Sequence, residues 1–308
     1  MKKLKNLSIV LAFMMVFTVV LTSPITVNAE VATVSAEKIV KAEEIVNEVS
    51  KEEFTTKKLN EQLVMATAWM QASAEYRAIC YQTFNWSKMV LDNDLAKNTS
   101  KMPRAIIVDA DETIIDNTAY QAHLIDRDYG YSSKTWAAWM QDAEAIAIPG
   151  AVEFLNYAAD KGVEVFYVTN RKMVGYEGTV KNLKDLGFPH VDKEHLMLRV
   201  DTSNKDVRRE AVKKDHRVVL YMGDNLNDFS SDFAKKSIEE RFTLTDNNKD
   251  KFGTQYIVLP NPTYGEWVGT MYNGNWGASP QEKSDMAKNS LRKWNNPREF
   301  VEQKSAEK

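Results

Sequence analysis

Cysteine is nearly missing from this chain: Cys80 stands alone. An intramolecular disulfide is therefore impossible, and the fold must be held by its core. Set in a helical pattern beside Ile79 and Tyr81, Cys80 reads as a small buried apolar residue rather than a reactive thiol. Histidine is scarce too, four in 308 residues, and none sits in a metal-binding pair. There is no cysteine metal cluster, no GxSxG nucleophile elbow and no P-loop lysine motif. Positive charge is in slight deficit. Forty Lys and Arg against 43 Asp and Glu give a net charge of -3, which argues against a binder of nucleic-acid polymers. The one long apolar run, from about Ile9 to Leu21, is too short and too soon followed by polar residues for a stable membrane span.

What is there begins with that run. Met1-Lys2-Lys3-Leu4-Lys5 precedes it, and the small residues Val27-Asn28-Ala29 follow, the three parts of a secretory signal peptide. Residues 1–29 are expected to be removed near Ala29–Glu30, leaving a secreted or surface-associated protein. Leu21-Thr22-Ser23 leads into Pro24 and not into a cysteine, so lipid attachment there is not expected. Residues 30–56 are charged, with Ile39, Ile45, Val46 and Val49 as a weak helical stripe: a linker or loose helix. Residues 57–308 are expected to form the functional domain, with its core at about 103–262. With 44% hydrophobic residues there is material for one sizeable domain plus helical additions at both ends.

From Leu59 to about Leu95 a helical pattern carries Leu63, Trp69, Met70 and Phe84 as packing residues. Short apolar runs then alternate with helical stretches. Strands are expected at Ala105–Val108, Val163–Val168, Leu196–Leu198, Val218–Met222 and Tyr256–Leu259. Helices are expected within Ser133–Ile148, after Pro149-Gly150, at about Thr179–Leu186, from about Lys205 and beyond Gln281. This alternation predicts an α/β fold, a Rossmann-like parallel sheet with helices on both faces.

The chemistry gathers at the strand ends. Ala105–Tyr120 reads AIIVDADETIIDNTAY, and the first strand delivers Asp109 and Asp111, with Thr113 and Asp116 close behind. In such sheets ligands sit beyond the carboxyl ends of the strands. Two carboxylates there can share a hard cation, or one can attack while the other handles protons. Plain turn or cap roles are the alternative. A calcium loop is not, because its sixth and twelfth positions would be Ile114 and Tyr120 where Gly and Glu are needed. Thr169-Asn170-Arg171 closes the second strand, and Gly223-Asp224-Asn225-Leu226-Asn227-Asp228 closes another, with Lys205 between them in sequence.

DADETIIDN, IPGAVEFLNYAADKGVEVFYVTNR, SNKDVRR and GDNLNDF, in this order, resemble the class C non-specific acid phosphatases of the haloacid dehalogenase superfamily, the lipoprotein e type among them. The similarity covers roughly Lys57 to Trp276. It implies the haloacid dehalogenase fold and a phosphomonoester substrate. Asp109 is then the nucleophile and Asp111 the proton donor and acceptor. Thr169, Asn170 and Lys205 hold the phosphoryl group. Asp109, Asp224, Asp228 and the backbone carbonyl of Asp111 bind one Mg²⁺. Trp136 and Tyr264 match places where such enzymes put aromatic side chains near the leaving group, and two aromatic faces can sandwich a nucleobase or nicotinamide ring. Trp139 reads as packing. A homodimer is plausible by analogy alone.

Each residue also has a bland reading: Lys205 as a solvated side chain, Thr169 and Asp228 as caps, Trp136 as helix packing. The leading function is a secreted Mg²⁺-dependent phosphomonoesterase acting on nucleoside 5′-monophosphates or related nucleotides. A phosphotransferase could use the same residues. A surface binding protein on a retired scaffold is disfavoured, since Asp109, Asp111, Lys205 and Asp224 are all present.

Overall fold

The computed structural model describes residues 53–97 and 99–294. The expected signal peptide, and residues 30–52 of the expected linker, lie outside the described residues. The compact unit described here opens at Phe54.

Its framework is a five-stranded sheet of β1 (Arg104–Val108), β4 (Glu164–Lys172), β5 (Leu196–Arg199), β6 (Arg217–Gly223) and β7 (Tyr256–Val258). The spatial order is β5-β4-β1-β6-β7, and every pairing is parallel. After β1 the chain builds outward through β4 and β5, then returns to the other side of β1 for β6 and β7. That reversal places a topological switch point between β1 and β6, and in sheets of this kind ligands bind beyond the strand ends at such a point.

Alternate residues of the central strands point into two separate cores. Ile106, Val108, Val165, Tyr167, Leu220 and Met222 face one, while Ala105, Ile107, Phe166, Val168 and Tyr221 face the other. A strand buried on both faces must be apolar at every position, which is why these segments read as continuous apolar runs. The first core is covered by α3 (Ala74–Lys97), through Cys80, Phe84 and Leu91, and by α6 (Ala151–Asp160), through Phe154, Leu155 and Ala158. The second is covered by α8 (Asp206–Asp215), through Val212. Cys80 is fully buried.

The long helical stretch expected at the start is three helices: α1 (Thr56–Glu61), α2 (Val64–Ala72) and α3. Ser73 is extended between the last two, with its hydroxyl accepting from Tyr76 N. A short polar side chain thus offers a local bond that competes with helix continuation, a signal that apolar periodicity does not carry.

Between β1 and β4 the chain forms a small excursion over the sheet's end. It contains a two-stranded ribbon of β2 (Ile115–Asp116) and β3 (Ile146–Ala147), with α4 (Thr118–Ile125) and α5 (Ser133–Asp142). Two-residue strands leave no periodicity to read. Helix α7 (Tyr176–Asp185) packs against α5. Three further helices, α9 (Ile238–Asn247), α10 (Glu266–Met271) and α11 (Pro280–Asn289), complete the described chain. Capping boxes open α9 at Ser237/Glu240 and α11 at Ser279/Glu282. Among the described residues no helix is long and apolar enough to cross a membrane.

Candidate active site

The site starts where β1 ends. Asp109 is still held in the sheet, its N–H donating to the Met222 carbonyl at 2.9 Å. The chain then reverses tightly: Ile114 and Ile115 N–H both donate to the Ala110 carbonyl, at 3.0 and 3.1 Å. Glu112, inside this turn, has a left-handed backbone with φ of 55°.

Asp109 and Asp111 leave the turn toward different cations. Asp109 Oδ1 accepts from Lys205 Nζ at 2.6 Å. Asp111 Oδ1 accepts from Arg171 Nε at 2.8 Å and Asn117 Nδ2 at 2.9 Å. Lys205 lies at the mouth of α8 and is 4% exposed, so the solvated reading of this lysine is overturned. Its ammonium also meets Asp228 Oδ1 at 2.6 Å. Burial works against the charge on Lys205, but Asp109 and Asp228 outweigh it and hold its pKa above the usual lysine value.

Asp224 and Asp228 come from the end of β6. Asp228 has two tasks: one carboxylate oxygen meets Lys205, and the other accepts from Asn225 N–H at 3.0 Å in a capping box. The cap reading therefore holds for this residue, and its second oxygen is turned toward the lysine. Gly223 is needed here because a Cβ at this position would lie 2.4 Å from Asp228 Oδ2. Asp224 accepts from Asn261 Nδ2 at 2.8 Å and from Thr113 Oγ1 at 3.4 Å.

Asp109, Asp224 and Asp228 each offer a carboxylate oxygen, and these oxygens lie within 4.8 Å of one another. Burial, together with Asp228 and Asp111, pushes Asp109 up to about 7 against the pull of Lys205. Burial and the neighbouring carboxylates likewise push Asp224 well above the usual carboxylate range. Three crowded carboxylates with one lysine among them carry uncompensated negative charge. A hard divalent cation with oxygen ligands fits that donor set. The Asp111 carboxylate is not part of the cluster and faces Arg171, leaving only its backbone carbonyl as the ligand expected from the sequence.

Thr169 is fully buried within β4, near the strand's end, and its hydroxyl accepts from Arg171 N at 3.2 Å. Asn170 is exposed and tied to its surroundings. Its amide donates to Ser203 O at 3.0 Å and accepts from Arg208 Nη2 at 2.8 Å. Trp136, on α5, stands edge-on to Tyr120 at 5.0 Å between ring centroids, and the Arg171 guanidinium lies 5.7 Å from its ring centre. The Tyr264 hydroxyl donates to Glu112 Oε2. Trp139 packs on the core, as expected, yet its indole N–H donates to Asn117 Oδ1 at 2.8 Å.

Sequence reasoning passed over Glu112, Asn117, Arg171 and Asn261. The first three lie inside the DADETIIDN and VTNR motifs, so the signal was their company. Their partners, however, lie up to 152 positions away, as for Glu112 and Tyr264.

Comparison with known proteins gives the family. The sequence pattern of the HAD superfamily, subfamily IIIB (Acid phosphatase), matches residues 23–267. The class C acid phosphatase from Bacillus anthracis is 39% identical, with a TM-score of 0.74, covering 77% of this chain and all of that one. A tungstate-bound structure of that phosphatase matches equally. Acid phosphatase 1 of Solanum lycopersicum is 29% identical over 133 residues, and the match spans 40% of this chain and half the length of that protein. With its parallel sheet, its acidic strand ends and these relatives, the chain belongs to the HAD superfamily, subfamily IIIB, the acid phosphatases.

Proposed function

We propose that this protein is a secreted, Mg²⁺-dependent phosphomonoesterase that works through an aspartyl-phosphate on Asp109 and favours nucleoside 5′-monophosphates or related nucleotides. One observation carries the reading: two aspartates two residues apart are held by different cations, Asp109 by Lys205 and Asp111 by Arg171. That division suits one carboxylate to attack and the other to move protons.

An Asp109 oxygen attacks phosphorus, and the ester P–O bond breaks. Asp111 gives its proton to the departing oxygen. It then takes a proton from the water that attacks the aspartyl-phosphate, whose P–O bond to Asp109 breaks to release inorganic phosphate. Such proton transfers contribute ~10²–10⁴-fold. Lys205, Thr169 and Asn170 hold the phosphoryl oxygens. Asp109, Asp224, Asp228 and the Asp111 carbonyl would hold the cation, which when bound supplies charge compensation for an anionic nucleophile meeting a phosphate dianion. Trp136 and Tyr264 form the leaving-group wall. The nucleotide preference rests on those two aromatic faces, and secretion rests on the signal-peptide pattern of residues 1–29.

The test is phosphate release by the purified protein from an aryl phosphate, AMP, nicotinamide mononucleotide and a sugar phosphate, with and without Mg²⁺, beside Asp109→Asn. Metal-dependent release that vanishes in the variant is expected. Release that persists in Asp109→Asn would sink the covalent mechanism. For the aromatic wall, Trp136→Ala should raise KM for AMP far more than for the aryl phosphate, and equal effects would remove it from recognition.

A further inference from the structure

The Asp111 carboxylate does not hold its own position. Asn117, fully buried five residues after Glu112, surrounds its own amide with four side chains. Its Nδ2 donates to Asp111 Oδ1 at 2.9 Å and to Glu112 Oε2 at 3.3 Å. Its Oδ1 accepts from Arg171 Nη2 at 3.0 Å and from Trp139 Nε1 at 2.8 Å. Glu112 in turn accepts the Asn117 backbone N–H at 2.8 Å and the Tyr264 hydroxyl.

Every donor and acceptor of this amide is committed, which fixes both its plane and its direction. Arg171 meets Asp111 and Asn117 at once, so the carboxylate is clamped from two sides by groups that are themselves locked. The clamp also runs through Glu112 to Tyr264, on the side where the leaving group would sit.

We propose that Asn117 is the positioning residue for Asp111, holding the proton donor in line with the departing oxygen, with Glu112 tying that alignment to Tyr264. The inference rests on the phosphatase reading above, in which Asp111 protonates the leaving group. A side chain held by one partner would swing. Misplacing a catalytic group by about 1 Å can lose ~10²-fold in rate.

The discriminating readout is dependence on the leaving group. A glycerol alkoxide needs a proton as it departs, whereas 2,4-dinitrophenolate departs without one. The comparison uses kcat/KM, which reports only steps through the first P–O cleavage and so excludes the later attack by water. Asn117→Ala in the full chain with Mg²⁺ should lose roughly 100-fold on glycerol phosphate and less than about threefold on 2,4-dinitrophenyl phosphate. Trp139→Phe removes one of the amide's bonds while keeping an aromatic ring. It should show the same asymmetry at roughly three- to tenfold, and it decides the matter should Asn117→Ala fail to fold.

Equal losses on both substrates in a folded variant overturn the positioning role, because a general loosening of the site does not select leaving groups. So does a wild-type-like Trp139→Phe with no asymmetry. A wild-type chain that releases phosphate from neither substrate overturns the phosphatase reading itself and this inference with it.

Discussion

Lys205 shows how much one buried side chain can decide. Its ammonium lies 2.6 Å from both Asp109 and Asp228, so it compensates part of the acidic cluster, and in the proposed mechanism it also meets the phosphoryl oxygens. Lys205→Met should cut kcat by roughly 10²–10³-fold through lost electrostatic stabilisation. Removing a positive charge beside a cation site should leave Mg²⁺ bound at least as tightly. Calorimetric titration checks this, and a parallel loss of Mg²⁺ binding would make Lys205 a mere scaffold. Gly223 is the complementary case. With a Cβ 2.4 Å from Asp228 Oδ2, Gly223→Ala must displace that carboxylate from Lys205 and from its cap. We expect a destabilisation of about 1–3 kcal/mol in denaturant unfolding, together with weaker Mg²⁺ binding. At this scale an acidic residue after a strand is by itself as readily a turn or cap. Asp109, Asp111 and Asp224 were legible as candidates because DADETIIDN and GDNLNDF, at strand ends, stand in order with two further motifs. Arg171 and Glu112 were not, because a charge reads as solvated until its distant partner is known.

Among the elements, the excursion between β1 and β4 depends on close approach. Helices α5 and α7 touch so tightly that a Cβ at Gly178 would lie 2.0 Å from the Met140 carbonyl oxygen. Gly178→Ala must push α5, which carries Trp136, away from α7. The expected result is a lower Tm by an amount matching about 1–3 kcal/mol, and a raised KM for nucleotides. At the near edge α1 is bound into the domain by Asn60, whose amide donates to the carbonyls of Leu124, Arg127 and Tyr129 at 2.9, 3.0 and 3.0 Å. Asn60→Ala leaves these carbonyls short of a donor and should destabilise by about 1–3 kcal/mol in urea unfolding, leaving the catalytic rate constant intact. The five parallel strands were legible from their apolar runs. Helix α4 and the β2–β3 ribbon were not, since each is short and shaped by the neighbours it packs between.

For the molecule as a whole, the acidic cluster ties stability to pH and, in the proposed function, to a bound cation. In the absence of metal, burial raises Asp109 from the ordinary value of 3.8 to about 7, and Asp224 is raised as well. Between those pH values the unfolded chain has released the Asp109 proton while the folded chain keeps it. The unfolded state therefore binds fewer protons, and this group's contribution to stability falls as pH rises from about 4 to about 7. A divalent cation competes with those protons. The rise in Tm on adding Mg²⁺ should accordingly be larger at pH 7 than at pH 5 and nearly absent in Asp224→Asn. A rise independent of pH would show that the cation binds elsewhere.

The amino-acid sequence by itself determined the strand succession, the burial of the sheet on both faces and the presence of carboxylates at strand ends. These follow from short-range patterns: an apolar run long enough for a strand, a helix between runs, a polar residue where the run stops. Only the tertiary structure decided which charge faces which. Lys205 reaches Asp109 across 96 positions, and Arg171 reaches Asp111 across 60. The Arg171 pairing follows from strand order, because β4 flanks β1 and brings its end to it, whereas Lys205 arrives from the mouth of α8, in the connection that carries the chain from β5 to β6. Side-chain partners in a buried polar site are set by the return path of the chain, which no local pattern encodes.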